Sequence, residues 1–400
     1  MTRGRLPGLN WCVWAEVGTI AAVTDEITKP RPPDQGTVES VRPLELFFDL
    51  VFVFTITQVA SVLNELPTPV GLARAAALLS IIWWMYGGYA WLTNALDLDR
   101  TGPRLLLLTG TAGFFVMSIT VPRVAERGPW AWLFGASYLV VVVIHLVGFI
   151  GTSGHRGIMR VGPLNVVMAL VVLAAGLVPP GTRPWLWVVA WVMVLATPVV
   201  AGIGEFTVGA GHFVERHGLA VIIVLGESIV EVGGVASAEN EMATVITGAL
   251  LVLALSAAMW WLYFGREERE SEARLARVPA DRRPHVAIYS FGYAYFVVVY
   301  GIAVAAVGME KSIHGFHHAS HGVPALLLPL GISLYLAGLA CFHRALAGTW
   351  PLARLWAALA VAALVTPAAL YLSGAAALVS ALLVLLGLIL WENRHWDRAR

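Results

Sequence analysis

Two carboxylates sit inside an apolar run long enough to cross a membrane. Residues 216–231 read R-H-G-L-A-V-I-I-V-L-G-E-S-I-V-E, which places Glu227 and Glu231 one helical turn apart on a shared face, with Ser228 beside them. An ionisable group near a bilayer centre costs on the order of a few kcal/mol unless it faces protein or water. Glu227 and Glu231 are therefore candidates for binding a proton or a cation. Ala220 and Gly234 lie seven residues either side of Glu227, and small residues on that face let a neighbouring helix approach closely. The plainer reading is an acid satisfied by hydrogen bonds from that neighbour.

A second pair of acids opens the first apolar segment, P-L-E-L-F-F-D-L-V-F-V-F at 43–54. Glu45 and Asp49 share a helix face, and Asp49 lies about 6 Å deeper than Glu45. Asp49 is expected to be buried among aromatics, with Gln58 deeper still on the same helix. Acids in a first turn also suit the helix dipole and need no further role. Just before and at the start of the 216–231 run, Glu205, His212, Glu215 and His217 offer imidazole and carboxylate ligand types. Their spacing matches no zinc signature, so they are read as a charged mouth in which Arg216 pairs an acid, with no metal. His314, His317, His318 and His321 are read as a polar loop.

These residues must be positioned by membrane helices. Of the 400 residues, 58% are hydrophobic and 13% charged, with a mean hydropathy of +0.76, well above a soluble domain. A net charge of +1 with no clustered basic face excludes nucleic-acid binding. Cys12 and Cys341 form no metal or redox pattern and are expected as free thiols, and no cofactor motif is present. The first 24 residues imitate a signal peptide, but Glu16 interrupts the apolar patch and no small-residue cleavage site follows, so a cytoplasmic amphipathic arm is preferred.

At about 20 residues per crossing, the chain is predicted to be an all-α integral membrane protein of twelve transmembrane helices. The segments are 45–64, 74–96, 103–122, 130–151, 158–178, 184–203, 217–236, 243–264, 285–308, 323–344, 352–372 and 374–392. The division at Ser373 and Gly374 allows only a tight turn. Of the 26 Lys and Arg residues, 21 flank one side and only Arg74, Arg123, Arg127, Arg183 and Lys311 the other. The positive-inside rule then puts both termini in the cytoplasm. The stretch 266–283 reads as a short solvated helix acting as a polar linker.

Residues 81–88, I-I-W-W-M-Y-G-G, and 258–265, A-M-W-W-L-Y-F-G, agree at both tryptophans, the tyrosine and the last glycine. Six helices separate the copies, as in a 6+6 parallel repeat. The expected organisation is an arm over 1–42, a first half over 43–210, a second half over 211–395 and a cytoplasmic tail over 396–400. Trp83, Trp84, Trp260, Trp261 and Tyr263 of the two copies are candidate substrate-binding aromatics.

The motif E-L-F-F-D-L-V-F-V-F at 45–54 with Gln58, together with H-F-V-E-R-H-G at 212–218 and I-V-L-G-E-S at 223–228, resembles the bacterial low temperature requirement protein A (LtrA) family. The resemblance spans about residues 40–395 and includes W-W-L-Y-F at 260–264. It implies a multi-pass protein of the bacterial inner membrane, with no substrate, reaction or partner beyond the lipid bilayer. It also implies a histidine shortly after Gln58, where this chain has Ser61.

Two functions of different class follow. One is a proton- or cation-linked transporter of a small solute, in which Asp49 and Glu227 change protonation. The other is a membrane-embedded enzyme acting on an isoprenoid or lipid, with Asp49 or Glu227 as general acid and aromatic faces stabilising a carbocation. A homo-oligomer is compatible with either.

Overall fold

Lipid offers the backbone no hydrogen-bond partners, so each apolar stretch satisfies its own amides as a helix. The computed structural model describes residues 42–126, 128–203, 205, 206, 208–238 and 241–399, and those residues are all-helical or turn. The arm over 1–41, including Cys12, lies outside the described residues, as do the side-chain environments of Glu231 and Gly234 and of the segment beyond 395.

The helices are α1 (Pro43–Glu65), α2 (Pro69–Ala95), α3 (Thr101–Thr120), α4 (Trp130–Phe149), α5 (His155–Leu177), α6 (Arg183–Ala201), α7 (Ala210–Ala238), α8 (Met242–Phe264), the short α9 (Glu267–Arg277), α10 (Arg283–His314), α11 (Pro324–Ala347), α12 (Leu352–Leu372) and α13 (Gly374–Ala399). All except α7 belong to the eleven segments long and apolar enough to cross a membrane, with α8 and the short α9 sharing one of them. With the acid-bearing α7 this makes the twelve long helices expected from the sequence. Proline at the first or second position starts α1, α2, α6 and α11, where its missing N–H costs nothing. Gly348, with φ of 76°, closes α11 in the left-handed region. The turn expected at Ser373 is present, and the Gly374 amide donates to the Gly315 carbonyl at 2.9 Å.

α10 is the most enclosed span, while α6, α12 and α13 are peripheral. α10 and α11 pack backbone to backbone through glycines. A Cβ on Gly308 would lie 2.2 Å from the Leu328 nitrogen, and one on Gly331 2.2 Å from the Ala305 nitrogen. Such close approach substitutes dispersion contact for the hydrophobic force that lipid does not supply. α1 to α6 pack on one another, α7 to α13 gather round α10, and α1 and α2 meet α7 and α10 between the groups.

The polar linker is more than a solvated helix. Glu267, Ser271 and Leu275 of α9 are buried. Arg354 of α12 donates to Glu267 at 2.7 Å and to Glu392 of α13 at 2.8 Å, and His343 of α11 lies 3.2 Å from Glu267. The sequence conceals this face because ion pairs, rather than an apolar stripe, hold it in place.

Candidate functional site

α1 presents a column of polar groups toward α7 and α10. At its start the Glu45 carboxylate accepts the Arg42 amide at 3.0 Å, which caps the helix. The same oxygen faces His212 Nε2 at 3.0 Å, and the other accepts from Arg216 Nη1 at 2.7 Å. Arg216 also donates to Thr93 Oγ1 at 2.9 Å and to Asp49 Oδ1 at 3.3 Å. The Tyr86 hydroxyl donates to the same Asp49 oxygen at 3.1 Å, and the guanidinium lies 5.3 Å from the Phe48 ring centroid. Asp49 is thus buried among aromatics, as expected.

Arg216 is fully buried, which corrects the expected charged mouth. α7 begins at Ala210 instead of near 217, so Arg216 lies within the helix rather than before it. A lone arginine would have been expensive there, but two carboxylates of α1 compensate its charge and the fork of the guanidinium matches them. The neighbouring ligand types do not converge. Glu205 pairs Arg160 at 2.8 Å, Glu215 is exposed, and His217 Nδ1 donates to the Phe213 carbonyl at 2.8 Å. On the far side of the bundle, His317 meets Thr244 at 2.9 Å and Glu241 at 3.4 Å. No cluster of three metal-ligating side chains occurs among the described residues.

Glu227 is also buried and points at α1, where Thr57 Oγ1 donates to its Oε2 at 2.7 Å. Its Oε1 has no hydrogen-bond partner among the described residues, and neither has Ser228 Oγ. Thr57 lies eight residues beyond Asp49, about 12 Å further along α1, so Glu227 faces the Asp49 helix without touching Asp49. Half-buried Gln58 follows Thr57. One turn on, Ser61 Oγ donates to the Thr57 carbonyl at 3.0 Å, and Asn64 hydrogen-bonds Glu310 of α10. The column thus runs from Glu45 to Glu310 with Glu227 between its ends, and Val53 interrupts it below Thr57.

Beside the ion cluster, α2, α4, α5, α7 and α10, with Ile203 and Phe206, line a partly open space of about 650 Å³ that is continuous with the outside. Trp83 and Trp84 line it, and no carboxylate does. The tryptophans of the matching stretch at 258–265 are placed differently. Trp260 and Trp261 are 41% and 50% exposed on the outside of α8, away from this space. Tyr86 and Tyr263 are alike only in being fully buried.

The E-L-F-F-D segment of α1 and the H-F-V-E-R-H-G segment of α7 therefore meet, one supplying the acids and the other the cation. Residues 40–390 match the family described as bacterial low temperature requirement A protein (LtrA). The chain belongs to the LtrA family. It is 30% identical over 318 residues to the uncharacterized protein RA0937 of Rhizobium meliloti (strain 1021), covering 74% of this chain and 75% of the relative. No solved structure matches.

Sequence reasoning overlooked several polar groups of this LtrA protein. His145 in V-V-V-V-I-H-L-V and Asn165 in P-L-N-V-V-M are single polar residues in apolar runs, and that isolation is the signal that could have found them. Thr57 and Thr93 carried no such signal, because a threonine satisfies its own hydroxyl on a helix carbonyl in most settings.

Proposed function

We propose that this LtrA protein is a proton-linked transporter of a small solute in which Glu227 carries the proton. The observation that supports this is the contrast between its two sets of acids. Glu45 and Asp49 are tied to Arg216, and a proton arriving there would break an ion pair in a buried site. Glu227 has a hydroxyl and no cation among its described partners.

Thr57 suits either charge state. Its one proton goes to ionised Glu227 at 2.7 Å, or to the Val53 carbonyl at 3.3 Å while its oxygen accepts from the protonated acid. With such a partner the Oε2 side of the carboxyl stays hydrogen-bonded in either charge state. In this reading Arg216, His212, Glu45 and Asp49 form a charged anchor between α1 and α7, and both termini are cytoplasmic by the distribution of Lys and Arg. The parallel 6+6 repeat belongs to the same reading.

The enzymatic alternative draws support from the aromatic space beside the cluster. It lacks the expected carboxylic acid there, because neither Asp49 nor Glu227 is among the lining residues.

Reconstituted vesicles on a solid-supported electrode test the proposal, with a panel of small solutes added across an imposed pH gradient. The expected result is a solute-dependent proton current for the wild type and none for Glu227→Gln, with unchanged thermal unfolding. A Glu227→Gln protein with wild-type currents overturns the assignment of that residue.

A further inference from the structure

The space beside the ion cluster has the composition of a binding site. Trp83 donates Nε1–H to the Gly292 carbonyl at 2.9 Å, and Trp84 donates to Asn165 Oδ1 at 2.9 Å. With their polar edges tied, both indoles offer apolar surface to the interior. Gly292 belongs to a π-helical stretch of α10, Ile288–Ala294, whose wider turn frees a carbonyl from the regular ladder, a device frequent at functional sites.

Three polar groups on the walls remain available. His145 of α4 is buried at 4% exposure, and neither ring nitrogen has a hydrogen-bond partner among the described residues. A neutral imidazole presents one donor and one acceptor. Asn165 uses its carbonyl oxygen on Trp84, which leaves its amide donors unspent. His217, with Nδ1 given to Phe213, retains Nε2 as an acceptor. Gly87 on α2 opens the space further, since a Cβ there would meet nothing within 4 Å.

We infer that this cavity binds a small, planar, uncharged heteroaromatic molecule of one or two rings. Its faces lie against aromatic walls, where ring contacts add to apolar burial. Its donor and acceptor edge meets the Asn165 amide and His145, whose ring nitrogens have no hydrogen-bond partner among the described residues. The ligand is uncharged because no acid, lysine or arginine is among the lining residues, and an unpaired charge is costly in such a place. The inference is independent of proton transfer at Glu227, and binding is measured without any flux. The site does adjoin the ion cluster. Trp83 stacks on Tyr86 with centroids 5.2 Å apart, and Tyr86 holds Asp49.

Quinolin-4-one is a suitable probe, being flat and neutral with one N–H and one carbonyl. Calorimetric titration of the purified full-length protein in nanodiscs is expected to show saturable binding of one equivalent. Gly87→Leu fills the cavity from a position with room for a side chain and should abolish binding while thermal unfolding is unchanged. His145→Phe keeps the shape, removes the hydrogen bonds and should weaken binding about tenfold. Absence of saturable binding to the wild type, as for a cavity that holds only water, overturns the inference. So does unchanged affinity in both variants, which places the probe elsewhere, or full competition by choline, which marks a cation cage instead.

Discussion

Arg216 of α7 and Glu45 of α1 approach to 2.7 Å with both side chains almost wholly excluded from solvent. They are 171 positions apart in the chain, and their pairing joins the group α1 to α6 to the group α7 to α13. Thr93 brings α2 into the same contact, so three helices share one guanidinium.

Arg216→Leu leaves Glu45 and Asp49 buried without their cation. Removing one partner of a buried pair typically costs about 3–5 kcal/mol. The expected outcome is a large drop in the thermal midpoint in detergent. Arg216→Leu combined with Glu45→Gln should recover part of that loss, because fewer unpaired charges remain. A single variant with wild-type stability would show that the cluster contributes nothing to holding α1 against α7.

The second buried ion cluster makes an independent case. Arg354→Leu removes the cation shared by Glu267 and Glu392, leaving Glu267 to His343 and the more distant Arg274, and should destabilise by about 3 kcal/mol. The two arginines share no partner, so their effects on unfolding should add to within about 0.5 kcal/mol. Strong non-additivity in a double-mutant cycle would reveal coupling between the groups.

Thr57→Val removes the hydroxyl facing Glu227 at nearly constant volume. Under the transport proposal the carboxyl remains, so proton-linked current should persist with an altered pH profile, in contrast to the complete loss expected of Glu227→Gln. Currents recorded as a function of pH separate the two. An unaltered profile in Thr57→Val would mean that the hydroxyl does not sense the charge state of the acid.

Close packing of α10 on α11 requires Gly308, where a Cβ would collide with the Leu328 backbone. Gly308→Ala should cost about 1–3 kcal/mol through forced separation of the helices. Gly387→Ala is the matched control, because a Cβ there meets nothing within 4 Å. Thermal unfolding of the two variants should differ by several degrees, and equal midpoints would argue against a backbone-to-backbone seam.

Much of this protein is legible in its residues one segment at a time. The period of apolar runs defines twelve long helices, because lipid forces any such run to satisfy its backbone locally. The acids in 43–54 and 216–231 are conspicuous for the same reason, and Glu227 turns toward α1 because a lipid-facing carboxylate is too costly.

What each polar group meets was decided only by the tertiary structure. Arg216 reads as a surface charge until two acids of another helix neutralise it, and α9 reads as solvated until Arg354 and His343 cover Glu267. The two Trp-Trp copies read alike in sequence, yet one pair lines a cavity and the other faces outward. Helix formation follows from contacts four residues apart, which a sequence displays. Charge compensation and cavities arise between different helices, from 38 positions apart for Arg354 and Glu392 to 171 for Arg216 and Glu45, where no local pattern records the partner.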